Sequence, residues 1–207
     1  MMFVEDYMSA SPVTVREAAP LGDAAQLMRQ HQFRQLPVLD EAGRLVGIIT
    51  DRDIRQTVGF GEPLRENLCV SDLMTAEPVT IPLSATLDEA VRMLIEHRFG
   101  AMPVVNGNEL VGIITYLDAL RALAQVFGLD QPGYRLEVAL PEGFADVARA
   151  FQALKDCNGS LLAAVVSRTR RDGGEPALYL RVAREQGEDV ERRLRDATLI
   201  LLQAEHS

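Results

Sequence analysis

The sequence predicts an α/β protein of α+β type: two packed β-α-β-β-α units followed by a separate β-α-β-β-α-β unit. Three observations predict it. Leu45-Val46-Gly47-Ile48-Ile49-Thr50 recurs unchanged as Leu110-Val111-Gly112-Ile113-Ile114-Thr115, and each copy has an aspartate three residues on, Asp53 and Asp118. The duplication is wider than that: Val4-x-Asp6-x-Met8 matches Val70-x-Asp72-x-Met74, Pro12-Val13-Thr14 matches Pro78-Val79-Thr80, and Pro37-Val38 matches Pro103-Val104. Finally, the repeat stops at the breaker cluster Leu129-Asp130-Gln131-Pro132-Gly133, after which the hydrophobic pattern is new. The expected segments are 1–66, 67–128 and 134–207.

Each repeat reads strand, helix, strand, strand, helix. In the second copy Val79-Thr80-Ile81 is a short strand closed by Pro82. Thr86-Leu87-Asp88-Glu89 is a capping box, in which the Thr86 hydroxyl accepts from the Glu89 amide and Glu89 reaches back. Leu87, Ala90, Val91 and Leu94 then fall on one helical face, as Leu21, Ala24, Ala25 and Met28 do in the first copy. Pro37-Val38-Leu39 and Leu45 to Thr50 are the next two strands, joined through Glu41-Ala42-Gly43. Asn106-Gly107-Asn108 makes the same connection in copy two, Asn-Gly being a hairpin signal because it tolerates positive φ. The last helix of each unit is expected to begin near Asp53 or Asp118.

In the last third, Leu136, Val138 and Leu140 alternate at strand period, and Phe144, Val147, Ala148, Phe151 and Leu154 have helix period. Leu161 to Val166 reads as a buried strand, Arg168 to Gly174 as a polar turn, and Leu178, Leu180 and Val182 as a third strand. Asp189 to Ala197 reads as a helix and Thr198 to Gln203 as a last strand, which a continuing helix could replace. This is the ferredoxin-like element order.

Composition narrows the function. The formal charge is −9, and Lys155 is the only lysine, so nearly all positive charge is arginine, suited to bidentate contact with phosphate or carboxylate. The pI near 4.9 argues against nonspecific binding to nucleic acid or to an anionic membrane. The N-terminal residues lack the pattern of a secretory signal, and no apolar run approaches transmembrane length. Cys69 and Cys157 suggest two reduced thiols in a cytoplasmic protein.

The chemistry concentrates at Thr50 and Asp53. A strand end presents a hydroxyl, the amides of a helix N-terminus favour anions, and a carboxylate three residues on can accept two hydrogen bonds from a vicinal diol. That set suits the phosphate and ribose of a nucleotide. It is equally the set of a helix cap to which nothing binds. Gly47 and Gly112 permit a base, or another strand, to approach the backbone.

The paired segments Val-x-Asp-x-Met-(Ser/Thr)-x-x-Pro-Val-Thr, x-x-Pro-Val and Gly-Ile-Ile-Thr-x-x-Asp resemble tandem cystathionine-β-synthase (CBS) domains over residues 4 to 125. The resemblance implies a Bateman module, in which two repeats pack through their sheets and the clefts between them bind AMP, ADP, ATP, S-adenosylmethionine or related ligands, without catalysis and with no required cofactor. It assigns ribose to Asp53 and Asp118, phosphate or the ribose edge to Thr50 and Thr115, and adenine to the backbone at Thr14, Val15, Thr80 and Ile81. The residues around Pro37 and Pro103 line the same clefts: Arg34, Gln35 and Leu36 in copy one; Gly100, Ala101 and Met102 in copy two. Arg34 and Arg52 put cations in copy one, where copy two has Gly100 and Tyr116 or Leu117, so the two sites are expected to differ.

The last third resembles an ACT domain. Its Leu140-Pro141-Glu142-Gly143 loop keeps Gly143 but lacks the family's aspartate, which points to dimerisation without an amino-acid ligand. The whole order resembles the acetoin-utilisation B-type family. The expected protein is a cytoplasmic, homodimeric adenosyl-ligand sensor that controls an enzyme or transporter, without nucleic-acid or membrane contact. A ligand-free dimerisation scaffold is the alternative.

Other features carry less. His31 and His97 sit at equivalent helix ends, each two residues before a phenylalanine, as caps or cleft lining rather than metal ligands. The arginines around Arg170 read as a solvated hairpin tip, Asn158-Gly159-Ser160 as an idle sequon, and Met28, Met93 and Met102 as packing. No nucleophile-base pair or Walker-type loop is visible.

Overall fold

The computed structural model describes residues 2–57, 68–167 and 176–206, so the turn expected at Arg168 to Gly174 lies outside the described residues. The chain divides into two compact units, Met1–Leu120 and Arg121–Ser207.

The first unit opens with a 3-10 turn, Val4–Asp6, then β1 (Ser9–Ala10), β2 (Val15–Arg16), α1 (Leu21–His31), β3 (Gln35–Leu39), β4 (Leu45–Thr50) and α2 (Asp51–Thr57). The second copy repeats this: a 3-10 turn at Val70–Asp72, β5 (Thr75–Ala76), β6 (Ile81–Pro82), α3 (Leu87–His97), β7 (Ala101–Asn106), β8 (Glu109–Thr115) and α4 (Tyr116–Val126). The Thr86/Glu89 capping box forms as the spacing predicts, whereas α1 starts behind Pro20 with no side-chain cap. Two boundaries differ from expectation. The first strand of copy two covers Ile81–Pro82 rather than Val79 to Ile81, because pairing with β7 is confined to Ile81↔Val104 and Pro82↔Val105. The last helix of each repeat starts at Asp51 and at Tyr116, two residues early, because Thr50 and Thr115 are themselves the caps.

The two copies exchange their leading segments. One sheet has the order β2-β3-β4-β5 and the other β1-β8-β7-β6, so each takes an edge strand from the opposite repeat. β1 pairs Ser9↔Ile113 and Ala10↔Gly112; β5 pairs Gly47↔Ala76 and Ile48↔Thr75. Val70, from the second copy's leading turn, is fully buried in a core formed by Leu21, Met28, Leu36, Val38 and Ile49 of the first. Reciprocally, Val4 N–H donates to Ala85 O at 2.9 Å and Leu87 N–H to Met2 O at 3.0 Å. The conserved letters of the two copies therefore complete one another: a Cβ on Gly47 would run into the Met74 sulfur, and a Cβ on Gly112 into that of Met8. These glycines serve a strand and a methionine, the second of the two uses left open by the sequence.

The second unit contains β9 (Gly133–Ala139), α5 (Phe144–Asp156), β10 (Leu161–Ser167), β11 (Ala177–Ala183), α6 (Gly187–Asp196) and β12 (Leu201–His206). Its sheet runs β10-β11-β9-β12 with every neighbouring pair antiparallel. One face, carrying Leu136, Val138, Leu178, Leu180 and Val182, buries against Ala150, Leu154, Val190 and Leu194 of the two helices. Thr198 in the left-handed region (φ 60°) stops α6 and lets the last strand form. Tyr134 donates to Glu191 Oε2 at 2.6 Å. That bond, with burial, pushes the Tyr134 phenol up to about 12 and, together with Arg195, holds the Glu191 carboxyl low.

Candidate functional site

β3 and β4 are antiparallel neighbours, and their register sets Gln35 beside Thr50. At that end the chain turns straight into α2, with Asp51 N–H donating to Arg34 O at 2.9 Å. Asp53 then closes a reciprocal box. Its Oδ2 accepts from Thr50 N–H at 2.9 Å and from Thr50 Oγ1 at 2.6 Å, while Asp53 N–H donates back to Thr50 Oγ1 at 3.2 Å. Thr115 and Asp118 make the same three bonds at 2.9, 2.7 and 3.1 Å. The capping role allowed by the sequence is thus fulfilled in both copies. Asp53 Oδ1 makes no hydrogen bond among the described residues, so one oxygen of that carboxylate stays open to a donor.

Beside this box lies a cleft of about 490 Å³, within the range of small-molecule sites. Copy one supplies Arg34, Gln35, Thr50, Arg52, Asp53 and Arg55; copy two supplies Pro78, Val79, Arg98, Phe99, Gly100 and Pro103. Arg55 is tied to Asp51 at 2.8 Å. Arg34, Arg52 and Arg98 also line the cleft, and their side chains make no ion pair among the described residues. The cleft therefore joins a threonine-aspartate box, three guanidiniums and an apolar wall of Val79, Phe99 and Pro103. Such a set can grip a polyanion and shelter a flat ring.

Of the residues expected at the sites, Arg34, Thr50, Arg52, Asp53 and Pro103 line this cleft. Thr115 and Asp118 occupy the corresponding end of β8, where Tyr116 N–H donates to Gly100 O at 3.2 Å. Val15, Pro37, Ile81 and Met102 have buried side chains, and Thr14 and Thr80 are half-buried; none of these six borders the cleft. From the segment between β5 and β6 of copy two it is Pro78 and Val79 that line the cleft of copy one.

Two features escaped the sequence reading. Arg98 caps α3 in the left-handed conformation (φ 55°), and its partner in copy one is Gln32 (φ 57°); comparison of the two helix ends was the available signal. The space left by Gly100 is not open either, since a Cβ there would meet the Gln35 amide. The two histidines stack instead on the nearby rings, His31 on Phe33 and His97 on Phe99, with centroids 5.4 and 5.0 Å apart, and neither lines the cleft. Among the described residues there is no cluster of three or more potential metal ligands, and no helix is long and apolar enough to cross a membrane.

An intertwined pair of β-α-β-β-α units with a Thr-x-x-Asp box at the end of each hairpin defines a paired-repeat module. The CBS domain family model matches residues 4–59 and 70–125, more than half of the chain, and the chain belongs to that family as a tandem pair. Three solved structures are similar. CBSX2 of Arabidopsis thaliana in complex with AMP is 27% identical, with a TM-score of 0.56, over 61% of this chain and 99% of that one. The acetoin utilization protein AcuB of Vibrio cholerae is 29% identical, TM-score 0.56, over 63% and 96%. The CBS pair of protein MJ0100, in complex with 5′-methylthioadenosine and S-adenosyl-L-methionine, is 27% identical, TM-score 0.54, over 60% and 97%. The homoserine O-acetyltransferase of Methanocorpusculum labreanum is 35% identical over 116 residues, but the chain spans only 23% of that enzyme's length.

Proposed function

We propose that this chain is a regulatory sensor of a phosphorylated adenosine such as AMP, ADP or ATP. The observation that carries the reading is the convergence of Arg34, Arg52 and Arg98 on the Thr50–Asp53 box in a single cleft. The adenine lies against Val79, Phe99 and Pro103, the ribose diol donates to Asp53 Oδ1, and the phosphates meet the arginines. CBS pairs with AMP, or with methylthioadenosine and S-adenosylmethionine, support the adenosyl class. Three guanidiniums disfavour a sulfonium cation and favour phosphate. Binding acts by population shift: the nucleotide stabilises the arrangement of the repeats that completes its cleft.

The last third serves, in this reading, as an ACT-like dimerisation unit that passes the change to a regulated enzyme or transporter in the cytoplasm. Its split β-α-β strand order supports a ferredoxin-like assignment. Homodimerisation is supported by edge strand β10, Leu161 to Ser167, which carries no charge and exposes Leu161 and Val166.

A ligand-free scaffold is the second reading, favoured by the fact that Asp53 Oδ2 is already engaged by Thr50. Calorimetry separates the two. AMP, ADP and ATP should bind with salt-sensitive affinity, S-adenosylmethionine more weakly, and Asp53→Asn should lose most of the affinity. No heat with any of the four at millimolar concentration would leave only the scaffold.

A further inference from the structure

One side chain of the nucleotide cleft is polar yet carries neither a charge nor a partner. Gln35 opens β3 and lines the cleft, where it supplies the only side-chain carboxamide among the described residues. Its register partner is Thr50, so it stands at the same strand ends as the Thr50–Asp53 box. The equivalent pair in copy two is Ala101 and Thr115, so the amide is peculiar to copy one.

The other repeat fixes where this amide lies. A Cβ on Gly100 would collide with it, so the amide rests on the backbone between Phe99 and Ala101. Phe99 and Pro103 belong to the apolar wall that can shelter a flat ring, and Gly100 lies in the same stretch of chain. Gln35 is half-buried, and its side chain makes no hydrogen bond among the described residues. Packing on a glycine needs no amide, since leucine or methionine would fill the space without desolvating a polar group. A carboxamide seated on the ring wall, with its acceptor and donors unused by the protein, is placed to read the edge of the ring.

We infer that Gln35 sets the base selectivity of the cleft, its amide oxygen accepting from the 6-amino group of adenine and its N–H donating to N7. This rests on the nucleotide reading of the cleft and deepens it. A carboxamide holds an acceptor beside a donor, and the 6-amino group and N7 of adenine present the complementary pair. Hypoxanthine and guanine carry a carbonyl in place of the amino group, so the same edge offers two acceptors. The amide then makes one bond, and its own oxygen is left facing another. The methyl group of Ala101, at the equivalent position of copy two, can do neither.

The test uses the full chain and calorimetry with three probes: AMP, IMP, which exchanges the 6-amino group for a carbonyl, and 7-deaza-AMP, which lacks the N7 acceptor. AMP should bind about tenfold more tightly than IMP, within the discrimination of one bidentate contact, and several-fold more tightly than 7-deaza-AMP. Gln35→Leu should bring the three affinities together, and Gln35→Met, of similar length, should do the same. A merely structural role would weaken all three nucleotides alike and leave their ratios intact. Equal binding of AMP and IMP, or of AMP and 7-deaza-AMP, by the wild-type chain overturns the inference while the sensor reading stands. So do ratios that persist in a folded variant. No heat with any of the three removes the sensor reading and this inference together. The wild-type ratios can refute the inference even where neither variant folds.

Discussion

The two CBS repeats carry the same machinery with different surroundings. Their Thr-x-x-Asp boxes agree to within 0.1 Å in every bond, at Thr50–Asp53 and at Thr115–Asp118. The residues after the threonine do not agree: Asp51 and Arg52 open α2, whereas exposed Tyr116 and Leu117 open α4. The residues before the proline diverge too, with Arg34 and Gln35 against Gly100 and Ala101. The box is a folding device that each copy needs, so it stays fixed. Ligand chemistry sits on the flanks, which are free to differ. The lesson is that a duplicated motif locates a possible site, and its unduplicated neighbours determine what binds there.

The largest test of this division addresses the shared part. Leu36 and Met102 hold equivalent positions and are both fully buried. Leu36→Ala and Met102→Ala should each cost about 3 kcal/mol in urea titrations. A cost confined to one copy would mean the cores are not equivalent. The next test addresses the flanks. Arg52→Ala or Arg98→Ala should weaken AMP about tenfold by calorimetry, the loss of one charge-assisted bond of about 1.5 kcal/mol. Tyr116→Ala, at the equivalent helix start of copy two, should leave that affinity unchanged.

A smaller difference is already written into the helix starts. Thr86→Ala removes the Thr86–Glu89 box and should cost about 1 kcal/mol, while Pro20→Ala removes no side-chain bond and should cost less than half as much. The last test uses the second unit as a reference. Tyr134 is pushed up to about 12, above its ordinary value of 10.0, by its bond to Glu191. The bond's contribution is complete below pH 10 and should be lost as the pH rises toward about 12, when the phenol of the folded state ionises. Glu191 titrates low, so its contribution should fade only as the pH falls below the ordinary 4.5. Tyr134→Phe should flatten the alkaline slope of that unit's melting temperature without changing the slope of the CBS pair.

Much of this molecule is legible in its letters. The second helix of the pair could be placed from Thr86, Glu89 and the stripe that follows because capping and amphipathicity are local. The hairpin Leu45 to Thr50 was readable for the same reason. What could not be read depends on contacts distant in sequence. Nothing local to Met8 says that its sulfur rests on Gly112, or that Ser9 and Ala10 finish the sheet of the other repeat. Arg98 joins the cleft through the left-handed turn that ends α3, and only its comparison with Gln32 at the matching end of α1 marks it out in the sequence. Gln35 fills the space beside Gly100 because the repeats meet there, a contact that neither copy shows when viewed alone.

The exchange of edge strands has a consequence for how the chain is made. A ribosome delivers Ser9 and Ala10 early, but their partners Gly112 and Ile113 emerge about a hundred residues later, roughly 5–20 s at ordinary elongation rates. The opposite debt is shorter, since β4 waits only for Thr75 and Ala76. During the longer interval the N-terminal tail has no docking place, and a nascent first repeat presents a ready edge to any neighbouring chain. Its closure is timed by translation of its twin.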